Sequence, residues 1–528
     1  MKPRHLLFAF LGLLTLLRFI YISQVELAAD ESYYYLWSQH LDWSYYSKGP
    51  GVALAIRLGT AIFGANEFGV RFLSPLLGLG TSLVMFFFAR RLYSESIAIW
   101  TVITINAIPI FNVGSLVMTI DPLSIFFWAA ALFTFWLALE KSPQFNWYWP
   151  LTGLLIGCGF LAKYTNAIQL LSIVLVLAIT RRFRVEFLRL GFYSMLAVFG
   201  LCMLPVIIWN QNHAWITLTH LRSRGNLNTG FAFHPLEPLS FFGAHLGVYS
   251  PLIFIGMLMA LWWARDDARV KLKPRFLVLF SLPLFVMYGL LALKKAGQPN
   301  WTAPAFVSLG ILATALWHES AQQQPAKRKF AIWALAIGMA MSFCTLGTDI
   351  IRSAGIPFPY KWDPNSRLRG WKTTAIAVDD FRKQFEKETG KPVFLIGNKY
   401  QTASILSFYL PENPEKHMEG PGHPPVYIPE SPDIESEFTF WPKYDDFVDA
   451  PRPVNPDTQY YTEEQGVNLF IGRNALYITD DLNDEPPSSI ERGFERVEMV
   501  TLLDISRHGL PLRKIRIFAC YNYQTVPL

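Results

Sequence analysis

The sequence predicts a polytopic α-helical membrane protein, with about eleven transmembrane helices, followed by a soluble α/β domain. Three observations carry that prediction. Apolar runs close to the ~20 residues that cross a bilayer recur through residues 1–349 and then stop. Of 528 residues, 52% are hydrophobic and only 16% charged, whereas a soluble chain carries about a quarter charged residues. From residue 350 onward the pattern changes to an amphipathic helix, short apolar strands and proline-rich turns.

Taken in order, the apolar runs place spans at 6–23, 68–89, 96–113, 119–139, 149–162, 164–180, 187–209, 241–263, 276–293, 301–318 and 329–348. The first run is interrupted by Arg18 and is long for a signal peptide, so it reads as a retained span. Arg18 lies near the outer end of that helix and is expected to snorkel to the interface. Lysine and arginine set the orientation. Lys2 and Arg4, Arg90 and Arg91, Arg181 to Arg189, Arg265 to Arg275 and Lys327 to Lys329 all fall on one side, which is the cytoplasmic one. An odd number of crossings then puts residues 350–528 outside. The net charge of +6 is therefore a topology signal, and no nucleic-acid partner is expected. Four scattered cysteines imply neither a disulfide framework nor a metal cluster.

The predicted domains are thus a transmembrane part, 1–349, whose first outer loop (24–67) carries interfacial helices, and an extracytoplasmic α/β part, 350–528. In the latter, "AIAVDDFRKQFEKE" reads as a helix, "KPVFLIGNK" as a buried strand and "QTASILSFYL" as a helix. "NALYITD", "VEMVTLLDI" and "RKIRIFACYNY" read as strands, and 411–465 as loop. This part is expected to recognise an acceptor or act as a lid.

Cations recur on the outer side: Lys48 and Arg57 in the first outer loop, Lys163 between two spans, Arg222 and Arg224 in the loop 210–240, and Lys294 and Lys295 before "GQPNW". A short loop tolerates one or two such charges; their recurrence points to a shared anion, for which a lipid phosphate is the ready candidate. Two carboxylates stand at the same face. Asp30 opens "ADESYYYLW", where it reads as an N-cap ahead of an aromatic interfacial helix, and Asp121 precedes Pro122, where an N-cap role is equally open. With Lys48 in "YYSKGPG", they supply the parts a sugar transfer from a phosphate requires. One carboxylate takes a hydroxyl proton, cations hold the leaving phosphate, and rings stack on sugar. The glycines of "GLLIGCGF" read as helix packing.

The order "DES-YY … YYSKGPGVALAIRLG … DPLSIFFW … GFLAKYT … WNQNHAWITLTHLRSRG … QPNWTAPAF" resembles bacterial membrane glycosyltransferases related to protein O-mannosyltransferases, and is similar to the lipid A aminoarabinose transferase group. The resemblance covers most of residues 1–320. It implies a C-type glycosyltransferase fold in a bacterial inner membrane, a polyprenyl-phosphate-linked sugar donor, and a membrane lipid or glycan acceptor. Lipid A or lipopolysaccharide, another glycan, a lipid and a protein all remain open as acceptor.

Carried over residue by residue, the resemblance gives Asp30 the base role and makes Asp121 the second acidic catalytic position. Glu31, Lys48 and Lys163 become substrate-binding positions, and the outer cations Arg222 and Arg224 and the aromatic Tyr34 are added to them from the residue pattern itself. Ser47 and Gly49-Pro50 depart from the acidic residue and proline pair that the family often shows around Lys48. In the aminoarabinose group that acidic residue resembles a metal contact, so its absence puts a bound divalent metal in doubt here without excluding one. Transport of lipid-linked glycans is the alternative function.

Overall fold

The computed structural model describes residues 3–225, 234–346, 348–363, 365–416, 422–447, 461–462 and 466–525. It divides into two compact units, one of Met1–Gln24 with Leu41–Gly347 and one of Val25–His40 with Thr348–Leu528.

The first unit is helical. Among the described residues five helices are long and apolar enough to cross a bilayer: Pro3–Ile22, Glu67–Leu92, Ile120–Glu140, Leu190–Asn212 and Leu272–Leu291. Several other predicted spans are shorter helices, among them Glu95–Ala107, Tyr148–Ala162 and Tyr164–Ile179. Ala305–Gln323 and Pro325–Leu346 are long but turn polar where they meet, at "HESAQQQPAKRK". Length and composition alone thus select five spans where the sequence reading drew about eleven.

Two predicted continuous spans are broken. The run 96–113 splits into Glu95–Ala107 and Pro109–Gly114, because the residue before a proline is pushed out of helical geometry, and Ile108 is extended. The run 241–263 becomes Leu236–Tyr249 and Pro251–Val270, bent by 115°. There Ser250 takes a positive φ of 71° directly before Pro251.

The first break explains where Arg18 goes. Instead of snorkelling, Arg18 is buried, and its guanidinium donates to Asn106 Oδ1 at 3.0 Å and Asn112 Oδ1 at 2.7 Å. Two amides flanking the kink replace the water the guanidinium would otherwise need. The unit is closed by aromatic packing around Trp128, Phe135, Phe276 and Phe280. Gly153 and Gly157 sit where helix Tyr148–Ala162 meets Leu190–Asn212, and a Cβ on either would strike Met195 or Cys202.

The second unit holds a four-stranded sheet. Its strands are β1 (Val393–Gly397), β2 (Asn474–Thr479), β3 (Phe494–Arg507) and β4 (Leu510–Tyr523), in the order β1-β2-β4-β3. β1 and β2 run parallel; β2/β4 and β3/β4 are antiparallel. Helices Trp371–Thr389 and Tyr400–Tyr409 match the predicted pair. Of the predicted loop 411–465, residues 417–421, 448–460 and 463–465 lie outside the described residues; the rest includes a short 3-10 turn, Glu437–Phe440.

Helix Ala29–Gln39 belongs to this second unit, not to the transmembrane part to which the sequence reading assigned it. The aromatic face expected to lie in the membrane interface is used for packing. Tyr33 lies 4.5 Å from the Tyr400 ring and 6.1 Å from Phe438, and its hydroxyl accepts from the Glu437 amide at 2.7 Å. Leu27 N–H donates to the Tyr409 hydroxyl at 2.7 Å, and Glu26 pairs with Arg507 at 2.9 Å.

Candidate active site

In the first unit the site is built around Asp121. Thr119, not Asp121, caps helix Ile120–Glu140, its Oγ1 accepting from Asp121 N–H at 3.3 Å. Asp121 is thereby left free of capping duty in the first turn. Its Oδ1 accepts from Lys163 Nζ at 2.7 Å and its Oδ2 from Asn300 Nδ2, also at 2.7 Å. The Lys163 and Asp121 side chains are 7% and 18% exposed, so this ion pair is largely withdrawn from water.

Each partner is positioned by its own element. Lys163 ends helix Tyr148–Ala162 in extended geometry. Just beyond it, Asn166 locks the two helices together: it accepts from Ser124 Oγ at 2.5 Å and donates to the Ser124 carbonyl at 3.0 Å. Asn300 lies on the 3-10 turn Pro299–Thr302, held from helix Leu236–Tyr249. His245 Nε2 lies 2.8 Å from Thr302 Oγ1, and the Tyr249 hydroxyl donates to the Pro299 carbonyl at 3.2 Å. Next to Asn300, the Trp301 ring carries the Arg224 guanidinium at 5.4 Å. Asn300 was not singled out from the sequence; its signal, "QPNW" at a helix start, pointed only to Trp301.

The Lys48 loop is tied to the same region. Lys48 O accepts from Tyr45 N–H at 3.0 Å and from Ser44 Oγ at 3.3 Å, and Ser44 Oγ lies 3.1 Å from the hydroxyl of Tyr164, the residue after Lys163. Thr217 Oγ1 donates to the Tyr45 carbonyl at 3.3 Å, and Trp209 Nε1 to Asp42 Oδ2 at 2.7 Å. The chain at Gly49 and Gly51 runs against the backbone of Leu161 and Ala162, where a Cβ on Gly49 would meet the Leu161 carbonyl oxygen. Gly49→Ala is therefore expected to cost about 1–3 kcal/mol, read from thermal unfolding, since backbone cannot yield as a side chain does. An unchanged midpoint would show that the loop has room.

His220 completes this face on helix Ile216–Arg224, its ring 4.6 Å from Tyr46. Burial, with the charges of Lys48 and Arg224, holds its imidazole down at about 4, so it is neutral at pH 7. Its Nε2 is buried and makes no hydrogen bond among the described residues. Arg222 is exposed on the same helix.

The remaining predicted residues belong to the second unit. Asp30 is exposed in the first turn of Ala29–Gln39, whose N-cap is Ala28, so Asp30 is not the cap. Capping falls to Glu31, fully buried, whose Oε2 accepts Ala28 N–H at 2.8 Å. That bond gives Glu31 a structural task. Tyr34 is buried against Tyr33 and Trp37, with ring centroids 6.1 and 5.0 Å away, again a packing position.

Residues 47–209, which include Lys48, Asp121 and Lys163, match the family described as dolichyl-phosphate-mannose-protein mannosyltransferase. The whole fold matches ArnT from Cupriavidus metallidurans, solved in the apo state, over 98% of both chains with a TM-score of 0.63 at 16% identity. The same protein bound to undecaprenyl phosphate matches with a TM-score of 0.61. The architecture is that of the C-type membrane glycosyltransferases.

Among curated proteins, lipid A galacturonosyltransferase RgtD of Rhizobium johnstonii is 31% identical over 60% of this chain and 66% of its own length. Undecaprenyl phosphate-alpha-4-amino-4-deoxy-L-arabinose arabinosyl transferase of Erwinia tasmaniensis is 28% identical over 52% of this chain and 50% of its own. The chain thus spans just under two thirds of the first relative and half of the second. Its sequence is similar to these relatives over that part, and its fold is similar to that of ArnT.

Proposed function

We propose that the protein is a glycosyltransferase that moves a sugar from a polyprenyl-phosphate-linked donor to lipid A or another envelope acceptor. The observation that carries this reading is Asp121, fixed by Lys163 and Asn300 beside the Lys48 loop and the Arg224–Trp301 stack. Both oxygens of Asp121 are already engaged by Lys163 and Asn300. Asp121 therefore acts as the anion that holds Lys163 and Asn300 in place.

Asp30, solvent-exposed and matching the superfamily's acidic position, takes the proton of the acceptor hydroxyl. The acceptor oxygen then bonds to the anomeric carbon, the bond from that carbon to the phosphate oxygen breaks, and the electron pair leaves on polyprenyl phosphate. Displacement in one step inverts the anomeric centre. Lys48, Arg222 and Arg224 stabilise the departing phosphate, with Lys163 contributing what charge Asp121 leaves uncompensated. The Trp301 face is suited to stack on a sugar ring. The distribution of lysine and arginine supports an inner-membrane protein with a cytoplasmic N-terminus and reaction at the extracytoplasmic face.

Transport of a lipid-linked glycan is the second reading, favoured by the break at Ser250 and the buried Arg18. One experiment separates the two. Full-length protein in nanodiscs is given a panel of labelled polyprenyl-phosphate sugars with lipid A. Transfer predicts labelled lipid A and released polyprenyl phosphate for at least one donor. The proposal fails if no donor yields a new glycosidic bond while labelled donor crosses the bilayer of reconstituted vesicles.

A further inference from the structure

We propose that a groove at the opposite end of the helical unit from Asp121 binds a phospholipid with an anionic headgroup. Helix Ala305–Gln323 links the two places. Its N-terminal end follows the turn bearing Asn300, and at 1.5 Å per residue its last turn lies about 25 Å away along the axis. There it packs with Glu95–Ala107 and Pro325–Leu346 around a groove of about 360 Å³, at the lower end of the ~300–1,000 Å³ typical of ligand pockets.

The groove is amphiphilic in one direction. Trp100, Ile332 and Leu335 supply apolar walls, whereas His318, Gln322 and Arg328 supply a polar rim. The rim is cationic, and among the described residues no carboxylate pairs with its guanidinium, that of the exposed Arg328. Lys327 and Lys329 flank it in sequence, with Lys327 resting over the Trp263 ring at 5.0 Å. No acidic residue occurs between Glu319 and Asp349. Glu95, which opens the facing helix, is engaged by Arg4 at 3.9 Å. Gln322 Nε2 lies 3.2 Å from His318 Nε2, leaving a donor-rich edge beside Arg328.

An apolar trough ending in an unpaired guanidinium fits an acyl chain joined to a phosphate. Anionic glycerophospholipid is assigned over a zwitterionic one because the basic cluster carries net positive charge where the headgroup would lie. The site is independent of the sugar-transfer reading, since none of its residues touches the Asp121 cluster.

The test uses full-length protein reconstituted in nanodiscs of phosphatidylcholine with and without phosphatidylglycerol. Lipid retained after transfer to detergent is counted by native mass spectrometry. Wild type is expected to retain phosphatidylglycerol over phosphatidylcholine. Arg328→Gln is expected to weaken that retention about fivefold, the effect of one basic side chain near a charged headgroup. Ala331→Phe, which fills the groove without touching charge, is expected to lower retention of both lipids. Thermal unfolding of each variant shows whether it is folded. Equal retention of the two lipids by wild type, or unchanged phosphatidylglycerol retention in folded Arg328→Gln, would overturn the proposal. Preferential retention of polyprenyl phosphate in a direct competition would overturn the assigned occupant.

Discussion

Asp30→Asn is expected to lower sugar transfer by about 10²–10⁴-fold, the usual contribution of a positioned general base. The unfolding midpoint should barely move, because Asp30 is exposed in a first helical turn and surface substitutions there stay within about ±0.5 kcal/mol, plus a few tenths from the helix dipole. Its neighbour provides the contrast. Glu31→Gln removes charge from a buried capping carboxylate and is expected to cost about 1 kcal/mol of stability with a much smaller loss of rate. Steady-state transfer and thermal unfolding of the two variants give a crossed pattern if the assignment holds. Equal transfer by wild type and Asp30→Asn removes Asp30 from the mechanism.

The second large effect concerns the buried pair. Asp121→Asn or Lys163→Gln alone leaves one charge without its counter-ion in a site that is 7% and 18% exposed at the two side chains. Breaking such a pair typically costs about 3–5 kcal/mol. The double variant removes both charges, so it is expected to be more stable than the sum of the single effects predicts, by roughly 1–3 kcal/mol of coupling. Transfer should fall about 10²-fold or more in all three proteins, because Asn300 and the Lys48 loop lose their fixed reference. Stability that recovers while activity does not would separate the structural from the chemical task of the pair. Simple additivity of the two single effects on stability would mean that the contact contributes little to either.

Helix positions were legible because apolar periodicity and length are local signals, and runs such as 119–139 and 187–209 differ from helices Ile120–Glu140 and Leu190–Asn212 by a few residues. The breaks were less so. Pro109 and Pro251 are visible in the sequence, but whether a proline starts a new helix or bends an old one depends on what the neighbouring backbone packs against. The aromatic stretch at 33–37 gives the same sequence signal for a membrane interface as for a protein surface, and only Tyr400, Phe408 and Phe438 decide between them.

At the site, the identities of Asp121, Lys163 and Lys48 were legible from residue type and resemblance. That Lys163 bonds Asp121 rather than standing as an unpaired cation was not, because the partners are 42 positions apart and no spacing rule links them. Asn300, 179 positions away, carries still less local signal. The cap on Asp121's helix stays open in the sequence for a narrower reason: Thr119 and Asp121 are both good caps, and only backbone geometry selects Thr119.

The grouping of Val25–His40 with Thr348–Leu528 changes how truncation data must be interpreted. The polypeptide passes between the units at three junctions, after Gln24, His40 and Gly347, so the C-terminal unit is not a detachable tail. A stop codon near 348 would leave helix Ala29–Gln39 in the product while stripping away Tyr400, Phe408 and Phe438, the surface on which it folds. Lost transfer in such a truncated protein would therefore report the collapse of the scaffold beneath Asp30, and assigning acceptor choice to the C-terminal unit calls for point changes on its exposed face.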